Sequence, residues 1–130
     1  MNDGNVKTGL NKGILPVQEI QSAIESGMIS AATPITDAQL QPASLDLRLG
    51  TRAWRVQSSF LPGAEMRVED KLARVAMHQI DLTGGAVLER GCVYIVELQE
   101  SLRLAAGLSA MANPKSSTGR LDIFTRLIAD

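Results

Sequence analysis

Short apolar runs, broken every few residues by turn formers, dominate the second half of this chain and limit what it can fold into. Val93, Tyr94, Ile95 and Val96 lie within Cys92–Leu98 and are all good strand formers. Leu102 and Leu104 alternate with Ser101 and Arg103, and Ala86–Leu88 and Leu108–Ala112 are expected to add strands. Gly84-Gly85, Glu89-Arg90-Gly91 and Ala105-Ala106-Gly107 read as breaks between them. Closely spaced short strands predict a mainly β fold, a sandwich or barrel with few helices. The chain has 130 residues and is 45% hydrophobic, which suits one packed domain.

The first half adds one clear helix and one clear strand. Val17, Ile20 and Ile24 recur at helical spacing with Ala23 beside them, and Glu19 suits the first turn. Pro16 is expected at the first helical position and Gly27 as the left-handed stop. Thr33-Pro34 and Gln41-Pro42 break the segment that follows. Ser44–Gly50 alternates cleanly, which predicts a strand with Leu45, Leu47 and Leu49 on one face and Ser44, Asp46 and Arg48 on the other. Ala53–Val56 is expected to continue into a second strand, and Pro62-Gly63 to turn. Leu72, Val75 and Ala76 suggest a short surface helix within 65–77. Residues 1–13, polar and rich in Gly and Asn, are expected to be a flexible tail.

Composition excludes several function classes. The net charge of -1 and only 3% aromatic residues argue against a nucleic-acid partner, whether held by counterion release or by stacked bases. Cys92 is the only cysteine, so no intrachain disulfide forms, and the chain is expected in the cytoplasm. No apolar run approaches the roughly 20 residues of a membrane span. With one Cys and one His, a four-ligand zinc site of Cys and His cannot be built, nor the His-Cys-Cys zinc site of nucleobase deaminases. Any Ser-His or Cys-His catalysis would have to use His78, whose neighbours Met77 and Gln79 form no recognisable motif.

One segment carries chemistry. In Asn113-Pro-Lys-Ser-Ser-Thr-Gly-Arg120 a proline is followed by paired serines flanked by two cations. Leu121, Phe124 and the Leu127/Ile128 pair then recur at helical spacing, so Ser116 or Ser117 is expected at a helix N-terminus. Lys115, Arg120, the hydroxyls and the N–H groups there make a phosphate cradle. An ordinary serine cap beside two solvated cations is the alternative. The glycine spacing and Gly-Lys-Ser/Thr order of a Walker A loop are absent.

Pro114-Lys-Ser-Ser-Thr-Gly-Arg120 resembles the second motif of dCTP deaminases, a branch of the dUTPase-like superfamily. That motif is usually Arg-Ser-Ser-x-x-Arg, and here Lys115 replaces the first Arg. Gln41-Pro-Ala-Ser-Leu-Asp-Leu-Arg-Leu-Gly50 resembles the family's first motif, and Val87-Leu-Glu-Arg-Gly91 its approach to the second. The resemblance runs from about Ile14 to Arg120 and implies a dUTPase-like distorted β-barrel or sandwich with an N-terminal helix and a short helix after the second motif.

The implied reaction is hydrolytic deamination of dCTP at C4, giving dUTP and ammonia, with no zinc and with Mg²⁺ arriving on the triphosphate. By the same resemblance Ser116 helps hold the attacking water and the base, Arg120 orients that water, and Lys115 and Ser117 contact the triphosphate. Asp46 has a structural role or lies near the Mg²⁺-triphosphate. The implied general base is a glutamate well beyond the second motif, and nothing in Leu121–Asp130 matches it. Residues 14–130 are therefore expected to be the N-terminal part of a dUTPase-like domain, incomplete at its C-terminus and inactive alone, from a long bacterial member with two similar halves. The resemblance also implies a homotrimer or a trimer-like assembly of repeated halves. Two other readings are a dUTPase-type pyrophosphohydrolase and a non-catalytic nucleotide-binding or assembly module of the same fold.

Overall fold

The computed structural model describes residues 13–129, so the expected tail at 1–13 lies outside them except for Gly13. The chain divides into two compact units. The first comprises the residues up to Leu47 together with Glu100–Ser109, and the second comprises Arg48–Gln99 and the residues from Ala110 onward.

In the first unit, helix α1 spans Val17–Glu25 and buries Ile20 of the expected stripe and Ala23 beside it. Pro16 sits one place earlier than expected. Its extended ψ of 167° makes it the N-cap, and the helix opens at Val17, whose N–H donates to the Pro42 carbonyl at 2.9 Å. Gly27 adopts φ +75°, the left-handed stop. Strand β1 (Ile29–Ala31) pairs antiparallel with the last strand, β7 (Glu100–Leu102). A 3-10 turn at Asp37–Gln39 leads into the hairpin β2 (Leu40–Gln41) and β3 (Ser44–Leu45).

The strand expected across Ser44–Gly50 is broken. β3 stops at Leu45, and β4 (Leu49–Val56) starts only at Leu49. The Asp46 N–H donates to the Gln39 carbonyl at 2.8 Å and leaves the ladder. The leucines do not form a buried face either, since Leu49 is 59% exposed and Leu47 37%. Alternation predicted the extended backbone but not which side the rest of the protein would cover.

In the second unit β4 is the central strand of an antiparallel sheet, β5-β4-β6, with β5 at Ala76–Asp81 and β6 at Val93–Leu98. Ala53, fully buried, pairs with Ile80 on one side and Val96 on the other. Helix α2 (Val68–Val75) fulfils the expected short helix, and its Leu72 joins Val56 and Phe60 in the core. Trp54, Val68, Val75, Ala76, Ile95 and Ile128 close around them.

Three expectations fail here. Ala86–Leu88 and Leu108–Ala112 form no strand, and Val87 is 87% exposed. Neither stretch finds a neighbouring strand, and apolar residues alone do not make a ladder. The helix expected after the second motif lies inside it instead, as α3 at Ser116–Arg120. Asp122, at φ +60°, ends that helix, and Leu121 and Phe124 stay exposed rather than forming a packed stripe.

Candidate active site

The two motifs lie on differently built ground. Just before the first motif, Gln39 is 6% exposed and uses both ends of its carboxamide in hydrogen bonds. Its Nε2 donates to the Asp46 carbonyl at 2.9 Å and to Glu100 Oε1 at 3.0 Å, while its Oε1 accepts the Thr36 N–H at 3.1 Å. Exchanging the two ends of the amide would set Oε1 against two acceptors, so one orientation is required. Asp46 is thus held by Gln39 through both its N–H and its carbonyl. Its carboxylate Oδ2 also accepts Gln41 Nε2 at 3.3 Å.

Glu100, 8% exposed, is the acidic end of this buried set. Sequence reasoning missed Gln39. The signal was present in Thr36-Asp-Ala-Gln39, a capping box in which Gln39 returns to the Thr36 N–H.

The last residue of the first motif has a steric reason. A Cβ on Gly50 would collide with the Glu97 side chain on β6. Glu97 has little freedom to retreat, because its Oε2 takes Arg52 Nη2 at 2.7 Å and Nε at 3.0 Å. Its Oε1 also accepts the Arg52 N–H at 3.1 Å. The Arg52 hydrogen bond, ahead of the cost of desolvation, holds the Glu97 carboxyl below its ordinary range. The Arg52 guanidinium stacks 5.2 Å from the Trp54 ring centre.

The Val87–Gly91 stretch is fastened to the sheet by polar contacts. Glu89 takes Arg55 Nη1 at 2.6 Å, and its own N–H donates to the Tyr94 hydroxyl at 3.0 Å. Arg55 Nη2 also reaches the Cys92 sulfur at 3.1 Å. His78 sits on β5 opposite Arg55 in the register. Among the described residues no group of three His, Cys, Asp or Glu side chains is placed to hold a metal ion.

The second motif is open to solvent. Lys115, not a serine, is the N-cap of α3, and an ammonium has no lone pair with which to cap N–H groups. Ser116 and Ser117 are the first two helical residues, so the serine-cap alternative does not describe this helix. Lys115, Ser116, Ser117 and Arg120 are all exposed. Ser116 and Arg120 are four residues apart, which puts a hydroxyl and a guanidinium on one helix face. Cationic and hydroxyl donors together suit an anionic oxygen-rich ligand or an oriented water.

Comparison with known proteins agrees with the motifs. The family model described as "2'-deoxycytidine 5'-triphosphate deaminase (DCD) N-terminal domain" matches residues 11–130. The chain is 29% identical over 116 residues to "dCTP deaminase, dUMP-forming" of Beutenbergia cavernae, covering 89% of this chain and 59% of that protein. A crystal structure of 2'-deoxycytidine 5'-triphosphate deaminase from Agrobacterium tumefaciens superposes with a TM-score of 0.87 at 56% identity, covering 91% of this chain and 34% of that one. The chain thus spans just over half of one relative and about a third of the other.

Proposed function

We propose, from the premise that this chain belongs to the family of dCTP deaminase N-terminal domains and has their dUTPase-like fold, that it serves the hydrolytic deamination of dCTP to dUTP and ammonia. The observation that carries the reading is the open second motif, with Ser116 and Arg120 on one face of α3 and Lys115 and Ser117 beside them. Ser116 and Arg120 hold and orient the water that adds to C4 of the cytosine ring. Lys115 and Ser117 hold the triphosphate, which arrives with Mg²⁺ as part of the substrate. The addition needs a general base that takes the water proton and returns it to the leaving amine. No residue of Leu121–Asp130 matches that glutamate, and the 130 residues assayed alone are proposed to be inactive. A cytoplasmic trimer, or a trimer-like assembly of repeated halves, is the proposed setting.

A second reading concerns the product. One relative is named dUMP-forming, and in this reading the same protein also splits the triphosphate after deamination. Incubating the protein at its natural length with Mg·dCTP, and following ammonia together with the separated nucleotides, decides among these. Ammonia with dUTP supports the proposal, and ammonia with dUMP supports the second reading. Attack on dUTP with dCTP untouched indicates a dUTPase, and nucleotide binding without turnover a non-catalytic module. Loss of ammonia release in Ser116→Ala is expected.

A further inference from the structure

Strands β5 and β6 both run antiparallel to β4 and lie on opposite sides of it, so they are parallel to each other. Parallel strands need a crossover connection, and residues 82–92 supply it. They pass from beside Arg52, the partner of Asp81, to beside Val56, the partner of Val93. Arg55 marks the face they cross. Trp54 and Val56 join the Leu72 cluster, while Arg55 between them points the other way, to Glu89 and Cys92 of the crossing segment.

The two ends of this segment are held differently. Its root is fixed: the Leu82 N–H donates to the Thr51 carbonyl at 2.7 Å, and Asp81 Oδ1 takes both the N–H and the hydroxyl of Thr83. Beyond it every residue from 83 to 91 is exposed, so no buried apolar side chain anchors that length. Gly85 and Gly91 stand near its ends at φ +82° and +77°, and a Cβ on either would meet nothing. Backbone conformation and not close packing therefore places glycine there. Among the described residues, the hydrogen bonds by which 84–91 reach the sheet all converge on Glu89. Its carboxylate takes Arg55 Nη1, and its N–H donates to the Tyr94 hydroxyl.

We propose that residues 84–91 form a strap that lifts off β4 as a unit, with Glu89 as its latch. The Arg55–Glu89 pair is 2.6 Å long, but its side chains are 31% and 59% exposed, so water and salt compete with it. Such a latch sets an opening equilibrium and does not seal the strap. Lifting turns the Arg55 guanidinium to solvent and leaves the Leu82 root and the pairing of β5, β4 and β6 in place. The trigger is whatever weakens this one ion pair: added salt, or loss of the Glu89 charge. The device needs no nucleotide and is independent of the proposed reaction.

Amide hydrogen exchange, resolved by residue on the protein at its natural length, tests the strap. In Glu89→Gln the amides of residues 89 and 92, which bond to the Tyr94 hydroxyl and the carbonyl of residue 89, are expected to exchange on the order of fivefold faster. The Leu82 amide and those of β4 are expected to keep their wild-type rates. Raising sodium chloride to roughly 1 M is expected to speed the same two amides relative to Leu82 in the wild type, and not in Glu89→Gln. Unchanged exchange at 89 and 92 overturns the proposal. An equal rise at Leu82 and across β4 also overturns it, because Glu89 then supports the whole sheet and latches nothing. So does a salt response that survives in Glu89→Gln. If Glu89→Gln does not fold, Tyr94→Phe decides, since it removes the acceptor of the Glu89 N–H and leaves the charges in place. Faster exchange at 92 with Leu82 unchanged supports the strap, and wild-type rates at 92 overturn it.

Discussion

The first motif is clamped and the second is exposed. Around Asp46 the backbone and side chain are met by amides of Gln39 and Gln41, with the buried Glu100 behind Gln39. Around Ser116 the helix is five residues long, has no side-chain cap and buries nothing. The difference separates a segment that fixes its own geometry from one that leaves its donors at the surface. A clamp spends its hydrogen-bonding capacity inside the protein and supplies geometry. An open turn keeps its hydroxyls and cations at the surface, where a polyanion can use them.

The largest test breaks the clamp. Gln39→Glu sets a carboxylate against the Asp46 carbonyl and the Glu100 carboxylate, and is expected to cost about 3–5 kcal/mol. That is a large share of the roughly 5–15 kcal/mol a domain commonly has. Urea unfolding checks it, and a midpoint like wild type would mean that the clamp does not exist in solution.

The exposed motif should instead answer in kinetics. Arg120→Ala is expected to lower kcat on the order of 10²-fold if, as proposed, its guanidinium orients the reacting water. Lys115→Ala should mainly raise KM, since a cation on phosphate serves ground and transition states alike. Both variants should melt like wild type. Near-normal turnover in Arg120→Ala would reduce α3 to a phosphate cradle.

Gly50→Ala tests where the first motif meets β6. The new Cβ must displace Glu97 from Arg52, and a loss of about 1–3 kcal/mol is expected from thermal melts. Glu97→Gln in the same background should recover part of the loss, since the side chain is then released from the ion pair.

The smallest expected effect is in acid. The folded-state pKa of Glu97 is lowered by Arg52, so its contribution is present above the unfolded value of about 4.3 and disappears as pH falls through the folded one. Arg52, whose own pKa is raised, stays charged throughout. Glu97→Gln should therefore flatten the acid limb of the stability curve and leave the slope between pH 5 and 7 unchanged. An altered slope near neutrality would point to another group.

Local signals and tertiary ones divide cleanly along the chain. Ile20 and Ala23 on α1, Gly27 at its end, Leu72 on α2 and the β6 run were legible, because helical period, φ preference and β-branched content act within a few residues. The second motif was equally plain, since paired serines between cations lie next to one another in sequence. Val87, Leu108 and the stripe after Arg120 misled, because an apolar residue becomes part of a strand or helix face only when something covers it.

By itself, then, the sequence determined the mainly β class, the opening helix, the turn positions and the composition of both motifs. Tertiary structure decided that Ser44–Gly50 is two strand ends around a break, that Gln39 and not a leucine face governs it, and that Gly50 must lack a side chain. The reason is distance along the chain. Gln39 meets Glu100 across 61 residues and Arg52 meets Glu97 across 45, and no periodicity within a short window records a partner that far away.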